Sequence, residues 1–352
     1  MIEPFLEDLE TRLQPEIEQS LLEDWQQFAA GGFTGDFFSP SRGNLFPPSI
    51  TWPKIAINDT LDDFEKMILS QLSLCSQALA DGSGKLLTIR ANYGTSILAS
   101  LFGPELFIMD RELDTLPTSR PLAGGKSAIR SLLEAGVPPI DQSFAGLALN
   151  TSQRYWEVLR AYPRLSRYVF IYHPDTQGPM DLCELLWGSR LFIDIMDEPD
   201  LVLDFLDLLT ETYIRYMHAW QAIIPQEGSF AAHWSMLHPG RIMLRDDSAM
   251  NFSPRMFNRF IRPFDQRLLQ EFGGGAVHFC GKGDHYIHSL SQSEGLKAVQ
   301  MGQPELNDME VIYRNTIDLG ISLLDLPYSA VAAAQGQHRN LHGLVHSWLP
   351  VE

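Results

Sequence analysis

Near the start of the chain, Phe5, Leu9, Leu13, Ile17 and Leu21 recur at helical spacing, which predicts helix over residues 1–30. From Gly31 to Pro53 the period disappears into a Gly/Pro/Phe-rich stretch, read as an ordered loop or lid whose aromatics anchor it to the core or line a pocket. Helical spacing returns with Leu61, Phe64, Ile68, Leu72 and Cys75, capped by Asp59 or Thr60 and ended by Asp81-Gly82. Short apolar runs then alternate with amphipathic helices: 86–91, 168–172, 230–234, 241–244, 276–279, 296–301 and 321–324 read as strands. Among the intervening helices, one starts at Pro199 and another has Ser253 as N-cap and Pro254 at its first position. Strand and helix alternation with roughly eight strands predicts an α/β fold, a (β/α)8 TIM barrel, with a helical N-terminal extension. The expected division is residues 1–84 as helical extension and aromatic loop, and 85–352 as barrel.

In such a barrel, chemistry sits where strands end, so polar residues directly after apolar runs are the candidates. They include Arg90 and Tyr93, His173 to Asp175, His233, Asp246 and Asp247, His278 to Gly281, Gln303 and Asp325. His278-Phe279-Cys280 carries the sharpest signal. Residues two apart on a strand face the same way, so imidazole and thiol would share one side with Phe279 packed on the other. That donor pair suits zinc, which takes at least three protein ligands; Asp246, Asp247, Asp325, His233, His342 and His346 are candidates for the third. A buried Cys packing as a small hydrophobe beside a hydrogen-bonded His is the competing explanation. His285 and His288 lie at helical spacing beyond the motif and read chiefly as exposed helix residues. Asp246 and Asp247 are adjacent and cannot both face inward; one is expected to pair with Arg245 or Arg241. Gly125-Lys126-Ser127 lacks the upstream glycine of a phosphate-binding loop, and Gly273-Gly274-Gly275 opens a strand instead of joining a strand to a helix.

Composition narrows the classes further. With 26 Lys+Arg against 44 Asp+Glu the net charge is −18, which disfavours nucleic acid and anionic membrane as partners. No apolar run approaches a membrane span, and the acidic N-terminus is unlike a secretory or transit signal, so a cytoplasmic location is expected. Three widely spaced cysteines make no disulfide framework.

The order of Gln177-Gly178-Pro179, the run from Gly188 to Asp200, Asp246-Asp247 with Ser253-Pro254, and Phe272-Gly273-Gly274 leading into His278-Phe279-Cys280-Gly281 resembles the uroporphyrinogen decarboxylase superfamily over roughly residues 85–347. That superfamily joins the decarboxylase to corrinoid-dependent methyltransferases. The resemblance implies a TIM barrel and lies closer to the methyltransferase branch, because the arginine-rich N-terminal motif of true decarboxylases is missing: residues 1–60 hold only Arg12 and Arg42. In that branch H-x-C plus a distal Cys bind zinc. His278 and Cys280 match the first two, but no cysteine follows Cys280. The resemblance therefore implies a zinc-dependent methyl transfer between a corrinoid, carried on a partner protein, and a thiol or similar small acceptor. Asp246 and Asp247 would be catalytic, with one filling or orienting the remaining zinc position. Arg90 and Arg241 would take an anionic end of the substrate, with Tyr93 and Gln177 beside them. A decarboxylase of a carboxylated, tetrapyrrole-like substrate and a non-catalytic barrel are the alternatives.

Overall fold

The computed structural model describes residues 2–226 and 228–349. Among the described residues ten strands occur in the order β1 (Leu87–Ile89), β2 (Leu106–Phe107), β3 (Thr118–Ser119), β4 (Val169–Ile171), β5 (Phe230–His233), β6 (Met236–Pro239), β7 (Ile242–Arg245), β8 (Gly275–Phe279), β9 (Leu296–Met301) and β10 (Ser322–Leu324). The chain divides into two compact units. The first holds residues 1–13, 47–77 and 87–226; the second holds 14–46, 78–86 and 227–352. Residues 1–84, expected to form one extension, are thus shared between both units.

In the first unit β1 and β4 form a parallel pair, and β2 and β3 a short antiparallel one. Helices Phe64–Ala80, Ser143–Leu159 and Pro199–Ile223 supply much of its apolar core, including Leu72, Tyr155, Phe205, Tyr213 and Trp220. The helix expected from residue 60 begins at Phe64 after a separate turn at Ile57–Thr60, because Asp63 is the residue whose carboxylate accepts from Lys66 N (3.2 Å).

In the second unit β10, β9, β8 and β7 form a parallel sheet in that order. Single-residue parallel bridges add the 345–346 segment beside β10 and then Phe38 beside His346. Gly275 opens β8 because a side chain there would strike Ile242 O at 2.1 Å; the glycine run lets β8 close on β7. The sheet's strands are buried along nearly their whole length, as expected of parallel strands covered on both faces. Phe38, from the loop after the first helices, packs with Trp25, Phe28 and His346, so this aromatic anchors its loop to the core.

Two expectations need correction. The run at 230–234 is no parallel barrel strand: β5 turns through Trp234 and Ser235, both left-handed (φ 45° and 63°), and pairs antiparallel with β6. The N-terminal helical pattern is broken at Pro15 into Glu3–Arg12 and Pro15–Ala29, since a proline cannot continue the preceding hydrogen-bond ladder. Among the described residues the parallel strands number six, in two sheets, and no single ladder closes them. No helix among the described residues is long and apolar enough to cross a membrane.

Candidate metal centre

The register of the parallel sheet assembles the site. Arg245 of β7, His278 of β8 and Gln300 of β9 are direct cross-strand partners, and Asp325 follows the end of β10. Four adjacent strands therefore carry polar side chains at their C-terminal ends, where the helix that covers each strand has not yet begun.

His278 and Cys280 share one side of β8, as the alternation requires, while Phe279 lies against Tyr286 on the other (ring centroids 5.6 Å). Cys280 Sγ lies 3.4 Å from His278 Nε2, and Asp247 Oδ1 lies 3.4 Å from the same nitrogen. All three ligand atoms fall within 4.8 Å of one another. In a tetrahedral zinc site with bonds of about 2.0–2.3 Å, neighbouring ligand atoms are about 3.4–3.6 Å apart. The two edges that meet at His278 have that length, so the donor set suits the metal.

Supporting contacts hold each donor in place. His278 Nδ1–H donates to Gln300 Oε1, and the Gln300 amide donates in turn to the Asp325 carboxylate, which fixes which way the amide points. When neutral, the imidazole is thereby held in the tautomer whose free Nε2 lone pair faces Cys280 and Asp247, as in the carboxylate–histidine supports of known metal sites; when protonated, it donates Nε2–H to Asp247. Asp247 Oδ1 accepts from Cys280 N at 2.8 Å. Burial raises the Asp247 carboxyl, but hydrogen bonds from His278 and Cys280 and the His278 charge outweigh it, leaving the group below the usual carboxylate range. Gly302, after β9, gives Cys280 its space: a methyl there would lie 2.9 Å from Sγ.

Trp234 stands edge-on to His278 (5.1 Å), and the Arg245 guanidinium stacks over its ring at 4.4 Å. A bulky residue in left-handed conformation is unusual, and this one turns an aromatic wall toward the candidate ligands. A cavity of 230 Å³ is lined by Gln300, Gly302, Asp325, Leu326, Tyr328 and Trp348 among others; of these, Gln300 bonds His278 and Gly302 borders Cys280 Sγ.

The remaining sequence candidates go elsewhere. Asp246, only 2% exposed, faces the buried carboxyl of Asp265. Burial and that neighbour raise its pKa well above the usual carboxylate range. His346 is enclosed by Trp25, Phe38 and Trp348 and accepts from Asp325 N. His342 joins Asp318, His285 bonds Phe252 O, and His288 bonds Asn315. Arg241 is exposed at the start of β7, the end opposite Arg245. Arg90, Tyr93 and Gln177 belong to the first unit. There Arg90 pairs with Asp175 (3.0 Å) and Tyr172 (2.7 Å), while Tyr93 bonds Thr151 and stacks on Phe144. Gln177 is buried, with its Oε1 lacking a partner. Sequence reasoning missed Gln300, Gly302 and the Trp234–Arg245 stack. Gln300 had a legible signal, since a lone amide near the end of the run 296–301 is a polar strand-end residue.

The fold matches a solved structure described as a methyltransferase from Methanosarcina mazei, with a TM-score of 0.61, 15% identity, and coverage of 83% of this chain and 82% of that one. At that identity the likeness shows a shared fold. No protein-family model and no curated protein matches the chain.

Proposed function

We propose that the chain is a zinc-dependent methyltransferase built on a TIM barrel, which moves a methyl group between a corrinoid and a small thiol acceptor. The observation that carries this reading is the Asp247–His278–Cys280 group, whose two edges at His278 have tetrahedral length. Asp247 takes the third ligand position that the missing distal cysteine leaves open. The likeness to a methyltransferase fold and the alternation of parallel strands with helices support the same reading. Bound there, zinc would supply the positive charge that keeps an acceptor thiol deprotonated at neutral pH.

The chain's own residues do the rest. His278, Cys280 and Asp247 present three donors on one side and leave a fourth direction open. Gln300 holds the imidazole orientation, and Trp234 shields one flank from water. In the transfer, the acceptor thiol gives its proton to solvent and its sulfur lone pair forms the S–C bond. The methyl–donor bond breaks with its electron pair staying on the donor. A cavity of 230 Å³ lies below the usual 300–1,000 Å³ of ligand pockets and admits a small acceptor only. A corrinoid is far larger, so it would be presented from outside, carried by a partner protein.

The test is methyl transfer from methylcobalamin to a panel of small thiols, followed by the cobalamin absorbance. Zinc-loaded protein should transfer, and His278→Ala should lose at least about a hundredfold in rate. Transfer that is equally fast in His278→Ala, or absent with every thiol and fully loaded zinc, would overturn the reading.

A further inference from the structure

The cavity lined by Gln300, Gly302 and Asp325 has a distinctive lining. Among the described residues its walls hold one carboxyl group, Asp325, two aromatic rings, Tyr328 and Trp348, and no cationic side chain. Two of its residues also belong to the metal centre's surroundings: Gln300 bonds His278, and Gly302 borders Cys280 Sγ. We propose that this cavity binds a small organic cation, an ammonium or methylated ammonium carried on a few carbons, so that the acceptor thiol of the site is amine-bearing. The second half of this inference rests on the methyl-transfer reading above; the cation site itself does not.

Asp325 is fixed for such a role. Its backbone is left-handed (φ 54°), its N–H donates to His346 Nδ1 at 3.1 Å, and its carboxylate accepts from Trp348 and Gln300. Those contacts hold the carboxylate at the cavity wall and use only part of its acceptor capacity of about four lone-pair sites. The cation acting on it within the fold is Lys85, exposed and lying over the Trp348 ring at 5.9 Å. A ligand cation at the cavity would meet a carboxylate together with aromatic faces, the combination that recognises quaternary and methylated ammonium groups. A sulfonate or carboxylate head of the same size would meet like charge with no fixed cation in the lining to offset it. The volume, equivalent to roughly seven or eight waters, suits a head group with a two- or three-carbon tail.

Calorimetric titration of the purified protein with ethylammonium chloride tests the cation site without reference to catalysis. Binding is expected in the wild type, weakened at least tenfold in Asp325→Asn and reduced in Tyr328→Leu. Asparagine tolerates left-handed backbone, so Asp325→Asn should fold; Tyr328→Leu gives a second, independent loss. On zinc-loaded protein, 2-aminoethanethiol should bind at least tenfold more tightly than 2-sulfanylethanesulfonate. Equal or tighter binding of the sulfonate, or full ethylammonium affinity in Asp325→Asn, overturns the proposal. Ethylammonium binding by a protein that never takes up zinc would keep the cation site and sink the methyl-transfer reading. Zinc uptake with no ethylammonium binding would do the reverse.

Discussion

At the scale of the residue, the centre depends on what its neighbours leave open. Gly302 has room for no side chain while Cys280 points at His278, because a methyl would sit 2.9 Å from Sγ. Since a thiol can rotate away at small cost, Gly302→Ala should leave melting temperature nearly unchanged while lowering zinc affinity at least tenfold, read by competition with a chromogenic chelator. An unchanged affinity would show that Cys280 does not need that orientation. Gln300 acts at one remove: it sets the His278 tautomer and should matter to metal affinity about as other supporting residues do, roughly 10–100-fold. Gln300→Leu removes that acceptor, and the same competition assay should show the loss; retention of wild-type affinity would show that the imidazole is oriented by other contacts.

At the scale of the element, local patterns were legible where one face decides the fate of a segment. The run 296–301 is a strand with those very ends, and Ser253 caps its helix through Met256 N. The H-x-C pair was legible for the same reason, since strand alternation alone puts both side chains on one side. The hairpin of β5 and β6 was not, because its turn forces Trp234 and Ser235 into a conformation that neither residue type signals. Asp247 was one of several strand-end candidates for the third ligand, and the pairing of Gln300 with His278 comes from cross-strand register, which one sequence does not contain. A similar misfit offers a stability test at the end of helix Tyr328–Gly336. Arg339 N bonds Ala334 O and His338 N bonds Gln335 O, a Schellman close with His338 at the left-handed position that glycine favours (φ 56°). His338→Gly should stabilise the protein by about 1 kcal/mol in urea unfolding, by relief of the left-handed strain. A loss of stability there would mean the exposed imidazole contributes more than the strain costs.

At the scale of the whole molecule, two buried imidazoles set an acid limit. Burial lowers the pKa of His238 to about 4 and that of His346 to about 3, against about 6.5 unfolded. Below pH 6.5 the unfolded chain takes up protons that the folded one refuses, so each histidine removes up to about 1.4 kcal/mol of stability per pH unit as pH falls towards its folded value. Their ring resonances should stay neutral to pH 5 in a folded protein whose urea midpoint drops between pH 7 and pH 5; imidazolium signals at pH 6 from either residue would contradict the burial argument. The strand and helix alternation gave the α/β class from sequence, whereas the division into two units interleaves distant segments and has no local signature. Zinc K-edge X-ray absorption of the purified, zinc-supplied protein examines the proposed metal centre most directly. One sulfur at about 2.3 Å with nitrogen and oxygen at about 2.0–2.2 Å is the expected shell, with the sulfur lost in Cys280→Ala and zinc occupancy reduced in Asp247→Ala. Absence of bound zinc, or a shell that is identical in Cys280→Ala, would contradict it.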